Sequence, residues 1–148
     1  MSYVNLIYHI VFSTKDREPL ITGEHESKIH QYIGAMINKR GGIALAINGM
    51  EDHLHVLAKL RQDKSLSDVI RDLKAGASGW MHDVFPSLED FAWQKGYGAF
   101  TVSQSQIGEV RDYIANQKIR HQKRSFKQEF TRMLIANEIE FDERYLFK

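Results

Sequence analysis

The 148-residue sequence predicts an α+β fold: a ferredoxin-like or RRM-like, mostly antiparallel sheet in the order βαββαβ, with an added C-terminal helix. Three observations predict it. Short segments with period-two apolar alternation occur at Tyr3–Thr14, Ile43–Gly49, His53–Leu60 and Ala99–Ser103. Segments of helical period separate the first from the second and the third from the fourth. Between the second and third strands, Asn48 to Asp52 leave room only for a hairpin turn.

Each element has a local reason. In "YVNLIYHIVFST", Val4, Leu6, Tyr8, Ile10 and Phe12 share one face, as a half-buried strand requires. After the Pro19 break, Ile29, Ile33, Met36 and Ile37 recur at helical spacing, and Gly41-Gly42 supplies the stop. In the third strand Leu54, Val56, Ala58 and Leu60 form the core-facing stripe. Ser65 with Asp68 resembles a capping box, opening a helix through Leu66, Val69, Ile70, Leu73, Ala77, Trp80 and Met81. "SLEDFAWQKGYG" reads as a connection to the fourth strand. "SQSQIGEVRDYIANQKIRHQ" then reads as one helix, with Ser103 or Ser105 as N-cap, and "SFKQEFTRMLIANEI" as another. The fold implies helices on one face of the sheet and an open second face for a partner. A single domain, 1–148, is expected, with a C-terminal helical extension from about residue 123.

Composition narrows the function classes. With 43% hydrophobic and 11% aromatic residues, the chain carries enough apolar surface for one core. It has no cysteine, which excludes disulfides and thiolate metal sites and points to a reducing cytoplasm. The apolar start is too short to span a bilayer and lacks the basic region of a signal peptide, so no membrane role is expected. Net charge is +1, yet the segment Arg111–Arg132 holds seven basic residues against two acidic ones. Such a stretch is either a solvated helix pair or a surface for an acidic polymer.

Two pairs of residues stand at spacings that carry chemistry. His53 and His55 are i and i+2 on a strand, so both imidazoles project from the face opposite the core stripe. Two neutral imidazoles can share a divalent ion; they can equally be surface histidines on a solvated strand. Tyr113 and Gln117, four apart, lie on one helix face, beside the apolar stripe of Ile107, Val110 and Ile114. Singly, that pair is a packing phenol and a surface amide. Jointly, the four residues fit one task. A phenol can attack a phosphodiester, but ionising it at neutral pH costs roughly 4 kcal/mol. A divalent cation on the phosphate offsets that cost. The Gln117 amide oxygen, one turn from the phenol, offers a third ligand beside the two imidazoles.

These residues resemble a known family. "EDHLHVL" is similar to the HUH motif and "YIANQ" to the Tyr-x-x-x-Gln motif of the single-tyrosine HUH transposases of bacterial insertion sequences, a group that includes the REP-associated tyrosine transposases. "YHIVFSTKDREPL", "WQKGYGAFTVS" and "IRHQKRSFKQEF" resemble the flanking segments, so the likeness runs along nearly the whole chain. The resemblance implies a DNA transposase that cleaves single-stranded DNA near hairpins, leaving a 5′-phosphotyrosine and a free 3′-OH. It implies Tyr113 as nucleophile, His53, His55 and Gln117 as ligands for Mg²⁺ or Mn²⁺, and a homodimer whose sites are completed in cis or in trans.

Other residues keep two readings. Asp52 orients an imidazole or closes the hairpin. Lys74 and Ser78, in "LKAGAS", contact DNA phosphates or face solvent. Lys118, Arg120, Lys123, Arg124 and Lys127 are the best candidates for sequence-independent backbone binding. Trp80, Trp93 and Tyr97 stack on unpaired bases or belong to the core. His9, His25, His30, His82 and His121 have no defensible partner spacing. A competing function is a non-cleaving module that binds single-stranded DNA or RNA hairpins. A metal-dependent hydrolase would leave Tyr113 without a task.

Overall fold

The computed structural model describes residues 1–146. Its sheet has four strands, β1 (Leu6–Ser13), β2 (Ile43–Met50), β3 (His53–Leu60) and β4 (Gly98–Thr101), in the order β2-β3-β1-β4, each neighbouring pair antiparallel. This is the βαββαβ arrangement expected from the sequence. Strand β1 begins at Leu6 rather than earlier; Val4 precedes it and is exposed.

Helices α1 (Gly23–Lys39) and α2 (Leu66–Val84) cover one face of the sheet. The even-numbered residues of β1 and β3, among them Ile10, Phe12, Leu54 and Val56, meet Ile29, Ile33, Leu73 and Met81 in one apolar core. Ser65 caps α2 as expected, its side chain accepting from the Asp68 N–H at 3.1 Å. The β2–β3 turn is tight: a Cβ at Gly49 would collide with the His53 carbonyl oxygen, so only glycine fits there.

The second face corrects two expectations. It is not open: α3 (Ile107–Ala115), α4 (Gln117–Arg120) and α5 (Phe126–Ala136) lie over it. The reason lies in their own amphipathic stripes, which need apolar surface to bury. Ile114 meets Ile7, Leu57 and Val102 at one end, while Phe126, Phe130 and Leu134 meet Val11 and Phe100 at the other. Nor is the tyrosine helix continuous. It breaks at Asn116 (φ −96°, ψ 18°), separating α3 from the single turn of α4. Ser103 and Gln106 form the capping box that starts this region, and Ser125 with Gln128 does the same for α5. Among the described residues no helix is long and apolar enough to cross a membrane.

Candidate active site

Between the two apolar ends of the second face lies a buried polar cluster. Strand alternation puts His53 and His55 on this face, and α3 to α5 bury both side chains completely. They are therefore interior residues rather than solvent-facing ones. His53 Nδ1 donates to Asp52 Oδ1 at 2.8 Å, so Asp52 both ends the hairpin turn and orients an imidazole. His53 Nε2 lies 3.2 Å from Gln117 Oε1. The Tyr113 hydroxyl donates to Glu129 Oε2, and Gln117 Nε2 donates to the same oxygen at 3.0 Å. All four residues of the two motifs are thus brought together within one chain. The i, i+4 relation of Tyr113 and Gln117 survives the helix break because the Asn116 N–H still donates to the Asp112 carbonyl at 3.1 Å.

Three further residues complete the cluster, none of them anticipated from spacing. Glu129 Oε1 lies 2.9 Å from His55 Nε2, 3.0 Å from His121 Nε2 and 3.5 Å from His53 Nε2. His121 Nε2 is also 3.0 Å from Gln117 Oε1, and its Nδ1 donates to the Arg124 carbonyl at 2.7 Å. His9 Nε2 and His55 Nδ1 share a hydrogen bond of 2.8 Å. One ligand atom from each of His53, His55, His121 and Glu129 falls within 4.8 Å of the other three. This donor set, imidazole nitrogens with a carboxylate and an amide oxygen at hand, suits a divalent cation.

Electrostatics follow from the burial. Burial opposes charge on His53, but the Asp52 and Glu129 carboxylates prevail and raise its pKa. For His55 burial prevails over Glu129 and lowers it; His9, buried and beside His55, falls to about 3. Burial would raise Glu129, yet the imidazoles of His121, His53 and His55 beside it hold it well below the usual carboxylate range. Tyr113 is pushed up, first by burial and then by the hydrogen bond to Glu129. Its phenol is protonated at neutral pH. The Arg120 guanidinium lies 4.2 Å over the Tyr113 ring and works in the opposite direction.

The weaker candidates separate. Arg120, Lys123 and Arg124 line a surface cavity of about 410 Å³ with Asn116 and Ile119, and Lys127 is exposed. Lys118 is otherwise engaged: it donates to Glu26 and to the Gly49 carbonyl, pinning α4 to α1 and β2. Lys74 does not face a phosphate surface as a bare ammonium. It donates to the Gln94 and Gly96 carbonyls at 2.6 and 2.8 Å, 5.5 Å over the Phe12 ring, and burial lowers its pKa to about 8. Ser78 donates to the Ala75 carbonyl on the same remote side. Trp80 stacks on Tyr32 and Trp93 packs edge-on against Phe12, so both belong to the core, while Tyr97 is exposed.

The IS200-like transposase family matches residues 2–117. Among solved structures, the chain is similar to a candidate transposase from Deinococcus radiodurans R1, with 25% identity, 79% of this chain and 95% of that one covered, and a TM-score of 0.65. It is also similar in fold to a REP-associated tyrosine transposase bound to a REP hairpin, with 15% identity, 82% and 72% coverage, and a TM-score of 0.62. No curated protein matches the sequence.

Proposed function

The chain belongs to the IS200-like transposase family, and from that premise we propose that it cleaves and rejoins single-stranded DNA through Tyr113. One observation supports this reading above the rest. A single carboxylate, Glu129, joins the phenol to the histidines: Oε2 accepts from Tyr113 and Gln117 while Oε1 faces His53, His55 and His121. The nucleophile and the cation ligands therefore share one pocket.

In this mechanism Tyr113 Oη attacks the scissile phosphorus in line with the 3′ oxygen. The P–O3′ bond breaks, its electron pair leaves with O3′, and that oxygen takes a proton to become a free 3′-OH. The 5′ phosphate stays on Tyr113. A 3′-OH then attacks the phosphotyrosine and releases the phenol, so the bond energy is kept and neither water nor ATP is needed. Held by His53, His55 and Gln117, a divalent cation such as Mg²⁺ or Mn²⁺ would supply Lewis-acid polarisation of the phosphate. Before reaction Tyr113 Oη donates in a hydrogen bond to Glu129 Oε2, the acceptor that takes this proton as Oη attacks and returns it when the phenol is released. Asp52 fixes the His53 tautomer with Nε2 bare toward the site. Arg120 over the phenol favours the charge that develops as the proton leaves.

A cavity of about 470 Å³ reaches Tyr113 and Glu129 from the surface, with Arg124 and Arg132 among its lining. Beside it, Arg120, Lys123 and Arg124 supply positive charge for a phosphate backbone. The substrate we assign is single-stranded DNA carrying a hairpin near the cleavage point. The site residues come from one chain, so a homodimer need not exchange α3 to complete a site.

The test offers the full chain a labelled single-stranded DNA with the palindromes flanking its own gene, in Mg²⁺ or Mn²⁺. A covalent DNA–protein adduct on a denaturing gel is expected, absent without cation and absent in Tyr113→Phe and His53→Ala. Tight hairpin binding without adduct in either cation would replace this reading with the non-cleaving module.

A further inference from the structure

We propose that His121 and Glu129 are themselves ligands of the cation site, making it a set of three imidazoles, a carboxylate and an amide oxygen that takes a transition-metal dication such as Mn²⁺, Co²⁺ or Zn²⁺ in preference to Mg²⁺. The inference deepens the cation-assisted reading above and rests on it for its purpose. Both residues lie beyond residue 117, where the family match ends.

The hydrogen-bond directions carry it. A carboxylate and a main-chain carbonyl only accept, so Nδ1 of His53 must donate to Asp52 and Nδ1 of His121 must donate to the Arg124 carbonyl. In the neutral imidazole this leaves Nε2 of both rings without a proton. Likewise Gln117 Nε2 donates to Glu129 Oε2, which turns Gln117 Oε1 toward the histidines. The bare His121 Nε2 then faces Gln117 Oε1 and Glu129 Oε1, each at 3.0 Å, and the bare His53 Nε2 faces the same two oxygens at 3.2 and 3.5 Å. Acceptors point at acceptors. His55 Nε2 joins them 2.9 Å from Glu129 Oε1, and its Nδ1 has His9 Nε2 as partner.

Something positive belongs at that point. Protons on Nε2 of His53 and His121 would instead set two imidazolium charges side by side in a buried space, since their ring centroids lie 4.6 Å apart. One dication satisfies all five inward atoms together. The outward partners Asp52, His9 and the Arg124 carbonyl then serve as the shell that orients metal-binding imidazoles. Mg²⁺ prefers oxygen ligands and keeps its waters, whereas imidazole-rich sets favour later divalent ions.

The test uses the full chain, stripped with chelator and titrated with Co²⁺, Mn²⁺, Zn²⁺ and Mg²⁺ by calorimetry, with no DNA present. We expect one equivalent of Co²⁺ bound at least about 100-fold more tightly than Mg²⁺, with a d–d spectrum of nitrogen-rich coordination. Glu129→Gln and His121→Ala should each weaken Co²⁺ binding about 10- to 100-fold and alter that spectrum. Wild-type protein with Mn²⁺ gives a readout free of any variant: NMR signals of the His121 and Glu129 side chains should broaden with those of His53 and His55. Preference for Mg²⁺, unchanged Co²⁺ affinity in both variants, or broadening confined to the His53–His55 pair would overturn the inference. Because DNA is absent, tight Co²⁺ binding through these residues in a protein that never forms an adduct would sink the proposed function and leave this site standing. An adduct formed by a protein that prefers Mg²⁺ would do the reverse.

Discussion

The two faces of the sheet are built from the same strands and do opposite things. On the α1/α2 face, alternate residues of β1 and β3 bury Ile10, Phe12, Leu54 and Val56 against apolar helix stripes. One residue further along each strand, the α3–α5 face buries His9, His53 and His55 against Tyr113, Gln117, His121 and Glu129. Burying titratable groups is costly unless each finds a partner. Small apolar patches around Ile114 and around Phe130 flank the cluster. The two faces divide the labour: one supplies the stability that lets the other hold its polar groups together.

That contrast can be broken by substitution. Phe12→Ala, on the apolar face, should cost about 3–5 kcal/mol in urea unfolding while the remaining folded protein still forms adduct; a cost under about 1 kcal/mol would mean the core is not where we place it. Gly49→Ala sets a Cβ against the backbone oxygen of His53. It should cost about 1–3 kcal/mol and weaken cation binding too, because the strand carrying His53 must shift. On the polar face the signs separate: Tyr113→Phe should abolish adduct while changing stability by no more than about 1 kcal/mol. Lys118→Ala loosens α4 from Glu26 and Gly49. Its stability loss should stay within about 1 kcal/mol for so exposed a pair, seen as faster amide exchange in α4.

Lys74 is the charged intruder beside the apolar core, and burial lowers its pKa from 10.5 to about 8. Between those two pH values the unfolded chain holds a proton that the folded chain lacks, so this group makes stability rise with pH there. An NMR titration of the Lys74 side chain should show a midpoint near 8; a midpoint near 10.5 would show that burial does not weaken this ammonium in solution.

Much of this was legible in the sequence, for physical reasons that also mark its limits. Period-two alternation placed the strands and the core face, and the order of elements then determined the sheet. The histidine pair and the tyrosine–glutamine pair were visible as spacings. Their burial was not foreseen, although the stripes Ile107/Val110/Ile114 and Phe126/Phe130/Leu134 each demanded a face to cover. Glu129 had a readable signal: it occupies a stripe position of α5 where an apolar residue would normally stand. His121 extends the Tyr113–Gln117 ladder by another four residues. His9 needed the register, which sets Val11 opposite His55 and brings the off-core face of β1 beside the pair. That main-chain carbonyls engage the ammonium groups of Lys74 and Lys118 was not legible, because neither a short motif nor a charge count reveals the acceptors a folded chain brings to a lysine.

The central claim is that Tyr113 carries the DNA during strand exchange. It is tested most directly by trapping the adduct on a hairpin-bearing single strand in Mn²⁺, digesting both protein and DNA, and sequencing the modified peptide by mass spectrometry. The account predicts a 5′-linked nucleotide on Tyr113, within the peptide ending at Lys118. A nucleotide on any other side chain, or a cut strand bearing a free 5′-phosphate with no peptide attached, would contradict it.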